Sequence, residues 1–176
     1  MTRSLLPALL SLGLCASCAR LPESFAPPAQ HAALASIPLA GPGNFFSMAD
    51  SNAADYLVSG VADHGPGTWR WTYDHPVLRF FVPALPDLRF SLEFTLPQDT
   101  FRHTGPVTLS ISLNGQALDR IRYDQAGQHS YSHPVPPAMI YPGALNFIAI
   151  DPHPVWISPD DGAHLGFILS RAGFTE

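Results

Sequence analysis

The densest set of side chains able to do chemistry lies near the C-terminus, where Asp151, His153, Asp160, Asp161 and His164 surround Trp156. Carboxylates and imidazoles at this density are the donor types for a divalent cation, or the paired carboxyl groups of a glycoside hydrolase. The plainer reading is a long irregular loop. Asp160-Asp161-Gly162 is turn chemistry, because Asp bonds its local backbone and Gly supplies positive φ, and Pro152, Pro154 and Pro159 punctuate the same stretch. Two aromatic rows add further candidates. In an extended strand Trp69, Trp71 and Tyr73 share one face, and their flat π surfaces suit stacking against sugar rings. Trp71 is expected in the core, as large aromatics usually are. Trp69, beside Gly65-Pro66-Gly67, is the better surface candidate. His129, Tyr131 and His133 form the second row, expected to face solvent. At ~3.3 Å per residue the two imidazoles stand ~13 Å apart, too far for one metal ion with bonds of ~2 Å.

Other chemistries find no support. The chain has no Gly-x-Ser-x-Gly elbow. All of its nine basic residues are Arg, and without Lys there is no phosphate-binding P-loop. The formal net charge is -5, and no basic face points to nucleic acid. Both cysteines, Cys15 and Cys18, lie near the N-terminus. The remainder therefore has no disulfide, no thiolate metal site and no Cys nucleophile. No cofactor is called for.

The elements that must position the candidates are strands. In 88–96, Leu-Arg-Phe-Ser-Leu-Glu-Phe-Thr-Leu, apolar and polar residues alternate without a break, as do those of 107–113. Each pattern gives one buried and one wet face. The second runs into Asn114-Gly115, the pair that a type I′ hairpin turn demands, with a return strand at 117–123. Further strands are predicted at 56–61, 68–73, 77–82, 128–133, 145–150 and 165–170. Arg79 and Arg89 are expected on exposed faces, paired with carboxylates such as Glu93. Pro (19) and Gly (13) supply the turns between them. Strands at this spacing predict an all-β fold, an antiparallel β-sandwich or barrel. A hydrophobic content of 46% is enough for its core.

Upstream, Arg3 and the apolar run Leu5–Leu14 have the form of a signal peptide, too short to span a bilayer. Leu14-Cys15-Ala16-Ser17-Cys18 resembles the lipobox of bacterial lipoproteins, with Cys15 where that family prefers Leu. The resemblance implies lipidation of Cys18 and a membrane-anchored lipoprotein of the cell envelope. Ordinary signal-peptide cleavage is the alternative. Residues 19–44, rich in Pro and Ala, then form a tether, and residues 45–176 form the domain.

Within the domain, Trp69-Arg70-Trp71-Thr72 after a Gly-rich turn, the strand–Asn-Gly–strand unit of 107–118, and the closing Asp161-Gly162-Ala163-His164-Leu165-Gly166-Phe167-Ile168-Leu169 occur in an order similar to jelly-roll domains of the galactose-binding-like, carbohydrate-binding-module type. That resemblance covers about 56–174. It implies a β-sandwich and, by analogy, a glycan ligand. It carries over no binding residues, and no calcium-loop pattern accompanies it. The leading expectation is thus a non-catalytic glycan-binding module, with Trp69, Tyr73, His129, Tyr131, Trp156 and Asp160 as ligand-binding candidates. The alternatives are an adaptor binding an envelope protein partner, with Phe45, Phe46 and Met48 as contacts, and a hydrolase using carboxylates of the Asp151–His164 loop.

Overall fold

The structure is a computed structural model that describes residues 41–63 and 67–176. The leader, Cys18, most of the tether and the 64–66 turn lie outside the described residues. The strands are β1 (Phe45–Ser47), β2 (Leu57–Val61), β3 (Arg70–Val82), β4 (Arg89–Leu96), β5 (Val107–Leu113), β6 (Gln116–Tyr123), β7 (Gly127–Pro134), β8 (Ala144–His153), β9 (Trp156–Ile157), β10 (His164–Leu165) and β11 (Ile168–Thr175). A short helix α1 (Gln98–Thr104) joins β4 to β5. Among the described residues, no helix is long and apolar enough to cross a membrane.

All strand pairs are antiparallel, and they build a sandwich. One layer runs β7-β4-β11, with β1 and the first residues of β3 on the far side of β11. The other runs β6-β5-β8-β3-β2. Alternate residues of β4 and β5 are buried, as their sequence alternation predicts. At the β5–β6 turn both Asn114 (φ 51°) and Gly115 (φ 79°) adopt the positive φ that the hairpin needs.

Between the layers sits an aromatic core. Phe80 on β3 meets Phe174 on β11 at 5.5 Å between ring centroids, Phe90 on β4 at 6.3 Å, Tyr56 at 5.8 Å and Phe46 at 5.9 Å. Further along, Phe94 meets Phe167 at 5.4 Å and Tyr123 of β6 at 5.1 Å. Phe46 and Met48 therefore fill the interior rather than offering a partner contact; of that trio, only Phe45 is exposed. Buried Asn146 is fully used. Its carbonyl oxygen accepts from Asn114 Nδ2 and the Tyr141 N–H, both at 2.8 Å, and its amide donates to the Tyr141 and Ala144 carbonyls.

Several boundaries differ from the sequence expectation. The strands expected at 68–73 and 77–82 are one strand, β3. Arg70 and Trp71 pair with β11, whereas Val77–Val82 pair with β8, so β3 passes from one layer to the other. Pro76, which cannot donate to a ladder, sits at this passage. The last strand begins at Ile168 rather than at 165. Thr72 captures Phe167 instead: the Thr72 hydroxyl donates to the Phe167 carbonyl and accepts from its N–H, both at 3.0 Å. Gly166 makes this approach possible, because an added Cβ would lie 2.7 Å from the Tyr73 carbonyl oxygen and from Pro152. Glu93 pairs with Arg171 at 3.7 Å. Arg89 donates instead to Ser132, and Arg79 to the Asp55 carbonyl, both at half-buried positions.

Replacing Phe80 by Ala should cost about 3–5 kcal/mol of stability in urea unfolding, the range for emptying a large core site. Phe81→Ala next to it removes an outward-facing ring and should change stability by no more than ~0.5 kcal/mol.

Candidate functional site

Three faces receive the candidate residues. On β3 the inward position is Thr72, fully buried. Trp71 is only half-buried and stands outside the core, which corrects its expected place; the inward side of β3 belongs to Thr72 because both partners of Phe167 come from that residue. Trp69 is half-buried just before β3, and Tyr73 is 36% exposed.

The β7 row does not face solvent. Tyr131 is buried at 8% and its ring packs edge-on against Phe90. Its hydroxyl donates to Asp119 Oδ2 of β6 at 3.1 Å, and His133 Nδ1 stands 2.9 Å from the same oxygen. His129 is half-buried between Tyr123, at 4.7 Å, and Phe94, at 5.4 Å. No backbone ladder joins β6 to β7, so these side chains close the gap between the two layers. Burial first, then the charge and hydrogen bond of Asp119, hold the Tyr131 phenol far above its ordinary range. Burial and Asp119 raise Tyr123 likewise.

The Asp151–His164 stretch is ordered by its own hydrogen bonds. Trp156, half-buried in β9, pairs with Leu165 of β10. Asp160 lies exposed in the connecting turn. The Asp161 carboxylate accepts from Ala163 N–H at 3.1 Å. The Ser158 hydroxyl, and then that N–H, lower its pKa, the reverse of what a general acid requires. His164 Nδ1 stands 3.7 Å from Asp74 on β3. Among the described residues, no group of three His, Cys, Asp or Glu side chains is placed to hold a metal ion.

What the loop does not gather, the outer face of β6-β5-β8-β3 does. Register places Arg120, Ser110 and Asp151 in one row across three strands, and Ala117, Ser112, Ala149 and Val77 in the next. The small side chains leave a trough of ≈ 410 Å³ lined by Ser110, Ser112, Ala117, Arg120 and Asp151. Two strand spacings put Arg120 and Asp151 ~10 Å apart on its flanks. His75 Nδ1 binds Asp151 Oδ1 from the β3 side. The carboxylate thus stands between Ser110 and the imidazole. A Ser–His–Asp relay needs the imidazole in the middle, which is not the order of this row. Ser110 and Ser112 were visible as the wet face of β5. Nothing local in the sequence links His75 to Asp151, 76 positions away.

No family model matches the chain, and no curated protein matches it. Solved structures do. An acetyl xylan esterase from the rumen bacterium Butyrivibrio proteoclasticus is 11% identical over 76% of this chain and 32% of its own, with a TM-score of 0.45. A family 35 carbohydrate-binding module from Paenibacillus barcinonensis is 11% identical over 76% of this chain and 99% of its own, with a TM-score of 0.43. A family GH115 4-O-methyl-α-glucuronidase with specificity for decorated arabinogalactans is 15% identical over 61% of this chain, with a TM-score of 0.42; the chain spans 14% of that enzyme. The domain is thus similar to carbohydrate-binding β-sandwich modules. Its architecture is read from its own strand pairing, and at these identities and scores the likeness says nothing of a ligand.

The raised Tyr131 pKa carries a sign. Below pH ~10 both native and unfolded phenols are protonated and stability is whole. As pH rises through ~10 the unfolded phenol ionises while the native one keeps its proton, so stability falls. Tyr131→Phe should cost ~1 kcal/mol near neutrality, the worth of its hydrogen bond. The gap between variant and parent in urea unfolding should narrow from pH 9 to pH 11; a constant gap would refute the assignment.

Proposed function

We propose that the chain is a non-catalytic glycan-binding module of the bacterial cell envelope, holding its ligand in the trough on the outer face of β6-β5-β8-β3. The observation that carries this reading is the row Arg120–Ser110–Asp151 across small neighbours. A sugar ring presents neighbouring hydroxyls that both donate and accept. A carboxylate accepts from two of them, a guanidinium donates in a fixed fork, and serine does either. His75, bound to Asp151 Oδ1, fixes the carboxylate before a ligand arrives. Exposed Tyr73, two residues before His75 on β3, supplies a ring for stacking. Trp156 and Asp160 lie on the hairpin that borders β3 through His164 and Asp74. His129 and Tyr131 have no part in this site, being packed at the junction of β6 and β7.

Glycan-array screening followed by calorimetric titration tests the reading. Asp151→Ala or Arg120→Ala should weaken binding at least about ten-fold, the worth of one hydrogen bond to a charged group. Neither should alter unfolding appreciably, because the Asp151 side chain is 51% exposed and Arg120 is exposed. Binding that survives both changes, or an array without a glycan hit, would remove the trough from consideration.

The lipobox-like Leu14–Cys18 supports attachment through an acylated Cys18. Mass spectrometry of the mature N-terminus should find a diacylglyceryl-modified Cys18. Cys18→Ala should release the protein from the membrane fraction.

A further inference from the structure

We propose that the end of the sandwich at which the tether joins it rests against the lipid surface, through Phe81, Leu85, Tyr141, Leu145 and Phe147. Each of these is conspicuously open to solvent: 44%, 39%, 55%, 41% and 42% exposed, respectively. They are neighbours in the fold. Phe81 pairs with Leu145 across β3 and β8, Phe147 follows two residues along β8, and the Gly143 N–H donates to the Val82 carbonyl, drawing the Tyr141 turn to the end of β3. Asn146 pins that turn through both Tyr141 backbone groups. Between the 83–88 and 135–142 loops lies a narrow apolar cleft lined by Pro83, Leu85, Val135, Ile140 and Pro142.

The charge pattern agrees. Residues 80–86 and 134–150 contain no Asp, Glu, Arg, Lys or His. In a chain of net charge -5, such an apolar cap, with Asp87 the one ionisable residue lining its cleft, suits zwitterionic headgroups and the acyl boundary beneath them, with Tyr141 at headgroup level.

The path of the chain selects lipid over other occupants. The Phe81 N–H donates to the Gly43 carbonyl at 3.0 Å, so the chain joins the domain beside this patch. Only 23 positions separate Cys18 from Gly41, a reach of at most ~80 Å even at full extension. An acyl chain on Cys18 therefore confines this end, where the chain enters the domain, to within that reach of the bilayer, at a high effective concentration for surface contact. The inference rests on the anchoring reading given above.

The test uses full-length lipidated protein reconstituted in phosphatidylethanolamine–phosphatidylcholine vesicles. The mature chain has no thiol beyond Cys18, so Leu145→Cys and, as control, Arg122→Cys each take a single environment-sensitive fluorophore. At position 145 the label should shift to the blue and be quenched by aqueous iodide about five-fold less than at 122, as interfacial burial requires. Phe81→Asp, at an outward position that leaves the core intact, should abolish the difference. Equal quenching at both positions, with acylation verified by mass, overturns the inference and leaves the anchor standing. Missing acyl mass overturns the anchor reading, and the inference with it. Protection that grows with protein density in the vesicle assigns the patch to a second copy and overturns the inference too.

Discussion

The passage of β3 from one layer to the other is the constraint on which the rest depends. Because Arg70 and Trp71 pair with β11 while Val77–Val82 pair with β8, the hydrogen-bonded path runs on from β6 through both layers to β7. Open strand edges invite pairing with other chains. Here the two end strands of the path come together, and Asp119 reaches from β6 to Tyr131 and His133 on β7. The hinge of the passage is Thr72, buried and bonded to Phe167 by both its hydroxyl and its backbone N–H. A buried hydroxyl without such partners would be costly; satisfied on both counts, it fixes where β11 begins and leaves Leu165 to pair with Trp156.

One consequence is a graded outer face. Along β8 the outward residues are Leu145, Phe147, Ala149, Asp151 and His153, passing from apolar to small to ionisable over ~26 Å at the usual strand rise. Strands pleat so that every second residue looks the same way, so a single strand can carry such a gradient without disturbing its buried partners. The trough and the apolar end thus occupy successive stretches of one ladder. Asp151 stands roughly 20 Å along it from Leu145.

Local patterns were legible and distant ones were not. The alternation of β4 and β5 and the Asn114–Gly115 turn depend on neighbours in sequence, and the sandwich follows from them. The passage in β3 was hidden because Pro76 reads as a strand breaker and the 13-residue length of β3 is set by two different partners. The β7 row misled for another reason. With period-two alternation both faces of β7 were polar enough to be wet, Gln128, Ser130 and Ser132 on one and His129, Tyr131 and His133 on the other. The inward choice was made by Asp119 and Phe90, which no local pattern could bring there. The place of His75 is hidden likewise, since it comes only from Asp151 across the β3–β8 ladder.

The same alternation separates folding from recognition. In β5, Val107, Leu109, Ile111 and Leu113 are buried, and Thr108, Ser110 and Ser112 between them are not. Core positions are held to shape and volume by close packing, whereas the positions between them are only half-buried. Serines and alanines on that wet side keep the trough open, and any larger residue there would fill it without weakening the core. Two demands are therefore met by alternate residues of one strand: the inward set makes the sandwich, and the outward set is left to answer to whatever the face must hold.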